Sequence, residues 1–99
     1  HSMVIASLPV PCRVCYMLLE ACPEEEPYLL PAYLNYDEIA AHLGVHVITV
    51  TKIFGALYSN GILAREGRRR VVLDKERLLR IVQREEELPY LKKRSSRAP

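Results

Sequence analysis

Two clusters of side chains between residues 46 and 70 have the chemistry to bind a phosphate polymer. The first, His46, Val47, Ile48, Thr49, Thr51 and Lys52, mixes hydrogen-bonding groups with two branched aliphatics. Thr49, Thr51 and Lys52 reach toward base edges or phosphates, whereas Val47 and Ile48 have no donor or acceptor and gain by covering a thymine methyl. His46 suits phosphate or base contact at the start of a helix, and simple turn packing explains it equally well. The second cluster, Arg68, Arg69 and Arg70, sets three guanidiniums side by side. They repel one another unless an anion neutralises them, and arginine is well shaped to clamp phosphate. Double-stranded DNA fits both clusters.

Catalysis has no comparable cluster. A glycine-rich phosphate loop is missing, as is any Ser, His and Asp set that the expected fold would bring together, so neither an enzyme nor a cofactor is expected. Glu24 to Glu26 and Glu85 to Glu87 read as solvated charge runs. Cys12 and Cys15 have the spacing of a zinc ligand pair or a redox dithiol, with Cys22 one helical stretch further on. Tetrahedral zinc needs four ligands, and no second pair of suitable spacing follows, so no metal site is expected. Helical periodicity instead sets Cys15 and Cys22 on one stripe with Leu18 and Leu19, which makes them core residues of a reduced, cytoplasmic protein. A thiol or zinc sensor on this helix is a third functional alternative.

The elements that would position the two clusters run from Tyr36 to Gly61, YDEIAAHLGVHVITVTKIFGALYSNG. Ile39, Leu43, Val50 and Ile53 fall on the inward faces of two helices, and Ala40 lets the second approach closely. Gly44 can take the left-handed conformation that ends the first helix, so the stretch is a helix-turn-helix. Ser59-Asn60-Gly61 ends the second helix. An extended run then begins at Ile62, Glu66-Gly67-Arg68 signals a turn, and Arg69 to Leu73 with β-branched Val71 and Val72 forms a second strand. The expected fold is mainly α with a small β-hairpin, a winged helix-turn-helix. Its recognition helix, about 46–59, would enter the major groove and its wing, about 62–73, would lie on the phosphate backbone. Asp74 would cap a closing helix to about Glu86 with Leu78, Leu79, Ile81 and Val82 as its apolar stripe. An amphipathic helix from Cys12 to Cys22 precedes the motif. The proline-interrupted segment Pro23 to Asn35 joins them as a loop, with a short strand near Leu34 that would pair with the wing.

With these residues in view, EIAAHLGVHVITVTKIFGALYSNGIL and the wing RRRVVLD resemble the C-terminal DNA-binding domain of the Crp-Fnr family, the bacterial regulators that include the cyclic-AMP receptor protein. The resemblance covers Pro11 to Val82, and the family pattern is matched at Ile39, Ala40, Gly44, Thr49, Val50, Leu57, Gly61 and Ile62. Gly-Val-His followed by Thr-Val is also similar to the branch that controls reductive dehalogenation in anaerobes. The resemblance implies a ligand-sensing β-barrel and a long dimerisation helix ahead of this domain, a homodimer on a palindromic operator, and RNA polymerase as a partner of the full-length protein. Better-known members begin the recognition helix with a polar residue, then Arg and Glu, with another Arg after Thr-Val; here those positions are His46, Val47, Ile48, Thr49, Val50 and Lys52. The two residues that would bond G and C edges are aliphatic, so an A·T-rich half-site is expected instead.

Charge is distributed as a DNA-binding face requires. Residues 1–45 carry one basic and six acidic residues, net −5, whereas residues 46–99 carry thirteen basic and six acidic, net +7. Such polarity orients one face toward phosphates. Arg77, Arg80 and Arg84 could equally be helix solvation. Ninety-nine residues suffice for one core, expected over residues 11–86. Residues 1–10 are expected to hold a cleavage scar, His1-Ser2-Met3, then a stub of the dimer helix at Val4 to Leu8 and a hinge at Pro9-Val10-Pro11; residues 87–99 form a flexible basic tail. The chain is thus expected to be an isolated DNA-binding fragment, with no signal peptide or membrane span. A winged helix that docks an acidic protein through its basic wing is the alternative from another class.

Overall fold

A computed structural model describes residues 8–88. The expected scar, the stub from Val4 to Ser7 and the basic tail from Pro89 onward lie outside the described residues. Four helices and one hairpin follow in the order α1 (Val10–Ala21), α2 (Tyr36–Leu43), α3 (Val47–Ser59), β1 (Leu63–Glu66), β2 (Arg69–Val72) and α4 (Lys75–Val82). This is a winged helix-turn-helix. Among the described residues no single helix is long and apolar enough to cross a membrane.

The hinge expected at Pro9 to Pro11 is already the start of α1. Pro9 is its N-cap and Pro11 sits in the first turn, where a missing N–H costs nothing because no intrahelical acceptor exists there. Val14, Cys15 and Leu18 on α1 are fully buried, and the helix packs along α4 while also touching α2 and α3. Ile39 and Leu43 of α2, Val50, Ile53, Phe54 and Leu57 of α3, and Leu78 and Ile81 of α4 close the same core. Phe54 is wholly buried, and its truncation to Ala would cost about 3–5 kcal/mol.

The wing pairs antiparallel with Leu63 opposite Val72 and Glu66 opposite Arg69, closed by Gly67 at φ 65°. A third segment joins it, at Leu29 and not at the expected Leu34. Leu29 bridges Val71, the Leu30 amide donates to the Arg70 carbonyl (2.8 Å), and the Val72 amide donates to the Tyr28 carbonyl (2.9 Å). The reason is local: buried Leu30 anchors the strand, and Pro31 follows at a turn that Leu34 closes by donating to the Pro31 carbonyl (3.3 Å).

Asp74 caps α4 as expected, accepting from the Arg77 amide (3.2 Å), but the helix stops at Val82, short of Glu86. Arg84 takes φ 64° and the Glu85 amide donates to the Arg80 carbonyl (2.8 Å), so the chain doubles back. Two gains hold the reversal. Glu86 meets Arg77 at 2.6 Å and Arg80 at 3.3 Å, and Leu88 enters the core. Glu86 is therefore not a freely solvated charge, and Leu88, expected in a flexible tail, is packed. Leu79, expected in the apolar stripe, is instead 44% exposed, because the stripe that faces α1 is Leu78, Ile81 and Val82.

Candidate nucleic-acid interface

The turn that aims α3 is built from one glycine and one arginine. Gly44, at φ 72°, ends α2 in the left-handed conformation, and the Val45 amide reaches back to the Ala40 carbonyl (3.0 Å). The chain bends by 116° between α2 and α3, within the range of DNA-binding helix-turn-helix pairs. At the other end of α2 the Asn35 side chain accepts from the Glu38 amide (2.8 Å). Arg13 of α1 donates from Nη2 to the Leu43 carbonyl (2.9 Å), placing a cation at the negative end of α2. Sequence reasoning missed this contact, although Arg13 is the lone basic side chain before residue 46.

Helix α3 divides sharply into two faces. Val50, Ile53, Phe54 and Leu57 are at zero exposure, while His46, Val47, Ile48, Thr51, Lys52 and Gly55 face outward and Thr49 is half-buried. His46 is the N-cap in extended conformation, and its side chain makes no capping bond. Its carbonyl accepts from the Thr49 (3.0 Å) and Val50 (3.4 Å) amides, so the first N–H groups of α3 lie outside the intrahelical ladder, as at any helix start. Ile48 is 64% exposed and Val47 38%. Tyr33, Leu73 and Leu79 are exposed to a similar degree elsewhere, so it is their placement together on the first turn of α3, not exposure alone, that sets Val47 and Ile48 apart. Thr51 Oγ1 donates to the Val47 carbonyl (3.0 Å), so its hydroxyl proton is occupied and the oxygen remains as an acceptor. Lys52, exposed one residue on, makes no ion pair among the described residues.

The three wing arginines, expected to act alike, have different surroundings. Arg68 is exposed at the turn. Arg69 is exposed too, with Nε donating to the Leu30 carbonyl (3.1 Å). Arg70 is half-buried and turned inward: Nε donates to the Tyr58 hydroxyl (3.1 Å) and Nη1 to the Leu34 carbonyl (3.0 Å). Its guanidinium lies 4.9 Å from the Tyr36 ring centre and 5.1 Å from that of Phe54, and these two rings are themselves 4.8 Å apart. Strand alternation explains the split, since neighbours on β2 point to opposite sides. The repulsion that seemed to require a phosphate for all three is relieved at Arg70 by aromatic faces and a carbonyl. Sequence reasoning passed over this aromatic set.

Arg77 and Arg80 are committed to the fold. Arg77 donates from Nε and Nη2 to Glu86 and from Nη1 to the Asn60 carbonyl (2.9 Å) at the end of α3. The hydrogen bond from Arg77 holds the Glu86 carboxyl below its usual range. Cys12 donates from Sγ to the Ile81 carbonyl (3.2 Å), and Cys15 is fully enclosed, burial pushing its thiol up to about 12. Burial also raises Cys22, partly offset by Lys75. Cys12 and Cys15, buried in the core, are packing groups and poor nucleophiles, whereas Cys22, expected in the same stripe, is half-buried at the C-cap of α1.

The Crp-like helix-turn-helix domain family has a model that matches residues 12–81, well over half of the chain. No curated protein matches the sequence.

Proposed function

The chain belongs to the Crp-like helix-turn-helix domain family, and from that premise we propose that it binds double-stranded DNA sequence-specifically as the DNA-binding domain of a ligand-responsive, cytoplasmic bacterial transcription regulator. The observation that carries the proposal is the outward strip of α3, where Val47, Ile48, Thr51 and Lys52 stand exposed on the first turns after a 116° bend. That strip enters the major groove, with His46 and Thr49 at its rim, and Arg68 and Arg69 of the wing grip the flanking phosphates. The domain binds and does no chemistry on its ligand.

Base preference follows from the side chains. Val47 and Ile48 favour thymine methyl groups and would strand the polar edge of a G·C pair without water or partner, at roughly 1–3 kcal/mol per wrong base. The half-site is A·T-rich. In the full-length homodimer two such helices read a palindromic operator about one helical turn apart, with RNA polymerase as the downstream partner.

Binding to a random duplex across a salt series tests the proposal. Affinity should fall steeply with a log-log slope of roughly −0.9 for each phosphate neutralised, and Arg69→Ala should make that slope shallower by about one contact. A slope near zero on every duplex would instead favour a wing that docks an acidic protein.

A further inference from the structure

Arg70 sits where it can set the relation between the two parts of the DNA-binding surface. Its backbone belongs to β2, its Nε bond goes to Tyr58 on α3, its Nη1 bond goes to the loop at Leu34, and its guanidinium carbon lies over the rings of Tyr36 of α2 and Phe54 of α3. One side chain thus ties the wing to both helices of the motif and to the loop between α1 and α2. The other ties hold the base of the wing: Ile62, Leu63 and Val72 are in the core, the Leu73 amide donates to the Ile62 carbonyl, and β2 pairs with β1 on one side and with Tyr28 and Leu30 on the other. Arg70 is the β2 side chain that hydrogen-bonds to α3.

We propose that Arg70 is a positioning residue that never touches DNA: it latches the wing at the angle from which Arg68 and Arg69 reach phosphates while α3 lies in the groove. This rests on the DNA-binding function proposed above. A guanidinium suits the task because it has several donors in a fixed plane whose faces can stack, whereas an ammonium is a point charge without that fork. A direct phosphate ligand would need its donors outward, and here two of them are spent inside the fold. The latch also explains why neighbouring arginines at a hairpin can differ in role: Arg69 faces out at the position where Arg70 faces in.

The discriminating substitution is Arg70→Lys, which keeps the charge and discards the fork. A released wing loses both Arg68 and Arg69 contacts, so the affinity lost between 50 and 200 mM salt should shrink by about 12-fold relative to the parent, against about 3.5-fold for Arg69→Ala alone. Arg69→Ala added to Arg70→Lys should then change the slope no further. In the free protein, hydrogen exchange at the Val72 and Leu30 amides should quicken while amides of α1 keep their protection. A merely stabilising role would lower the melting temperature and leave the slope of the folded protein as it was. Parental slope in Arg70→Lys, or full additivity with Arg69→Ala, overturns the latch. If Arg70→Lys fails to fold, Tyr58→Phe serves: it removes one acceptor only and should move slope and exchange in the same direction, and parental values for both refute the proposal. Failure of the underlying function is visible separately, as a parent protein that binds no duplex at any salt concentration.

Discussion

Truncating Ile48 isolates hydrophobic readout from every other contribution to binding. Ile48 is 64% exposed on the outward face of α3, so the free fold owes it little. Alanine is also the better helix former, and Ile48→Ala should leave the domain as stable or more stable by about 0.5 kcal/mol. A fully covered isoleucine is worth about 1.5–3 kcal/mol, so covering the 64% now in water gives on the order of 1–2 kcal/mol, most of which the truncation forfeits. Binding to the preferred site should weaken about tenfold, with the salt slope and non-specific affinity unchanged, because no charge is altered. Val47, already more than half covered at 38% exposure, should lose less as Val47→Ala. The partner is tested from the DNA side by replacing each thymine in turn with deoxyuracil, which deletes only the methyl. One such position should cost the parent about 0.8 kcal/mol, or about fourfold, and should cost Ile48→Ala nothing. Fluorescence anisotropy on the set of duplexes measures both. If sites selected from a random pool carry an invariant G·C pair whose readout vanishes in Ile48→Ala, or if no thymine couples to Ile48, hydrophobic readout is refuted.

Val47→Arg should move the preference toward G at one position, with non-specific affinity equal or higher; site selection with the variant reads this out, and an unchanged preference counts against groove contact at residue 47. Gly55 is an exposed mid-helix glycine with nothing within 4 Å of an added Cβ, so Gly55→Ala should stabilise the free domain by about 1 kcal/mol in thermal melts. Cys15→Ala should cost on the order of 1 kcal/mol without altering DNA preference. Because burial raises the Cys15 thiol to about 12 in the fold, the unfolded chain ionises first, so the thiol's contribution is fully present below the ordinary thiol range and is lost as pH rises toward 12. Denaturant titrations at stepped alkaline pH should show a steeper decline for the parent than for Cys15→Ala, and equal slopes would mean that the thiol is not buried.

The helix-turn-helix was legible because its constraints are local. Gly44 had to end a helix in a left-handed turn, and the spacing of Ile39, Leu43, Val50 and Ile53 could serve only helices with one inward face; both appear in the structure. The hairpin was legible for the same reason, its turn at Gly67 lying between two short β-prone runs. What escaped depends on partners distant in sequence. Arg13 meets Leu43 thirty residues away, Arg69 meets Leu30 across thirty-nine, and Arg70 meets Leu34 across thirty-six. Periodicity says nothing of such pairs. The end of α4 was overestimated because Gln83 to Glu87 continues a helix-compatible pattern, whereas the competing pull is tertiary: Glu86 returns to Arg77 and Leu88 to the core. At the candidate site, residue types indicated which side chains could meet DNA, and only the strand's alternation in three dimensions separated inward Arg70 from its exposed neighbours.

The short bridge at Leu29 has a bearing on how this domain survives at high concentration. It makes β2 an interior strand, with β1 on one side and Tyr28 to Leu30 on the other. The run Val71-Val72-Leu73 is branched, uncharged and free of proline, which suits it to pair with another strand. Both flanks of β2 are already engaged by this molecule's own backbone. The open edge of the hairpin is β1, which is four residues long and ends in Arg65 and Glu66, side chains that discourage edge-to-edge stacking. A segment that looks like spare connection between two helices therefore shields the inner strand of the wing, and through Leu30 in the core and Tyr28 beneath Lys75 it is also part of what the helices pack on.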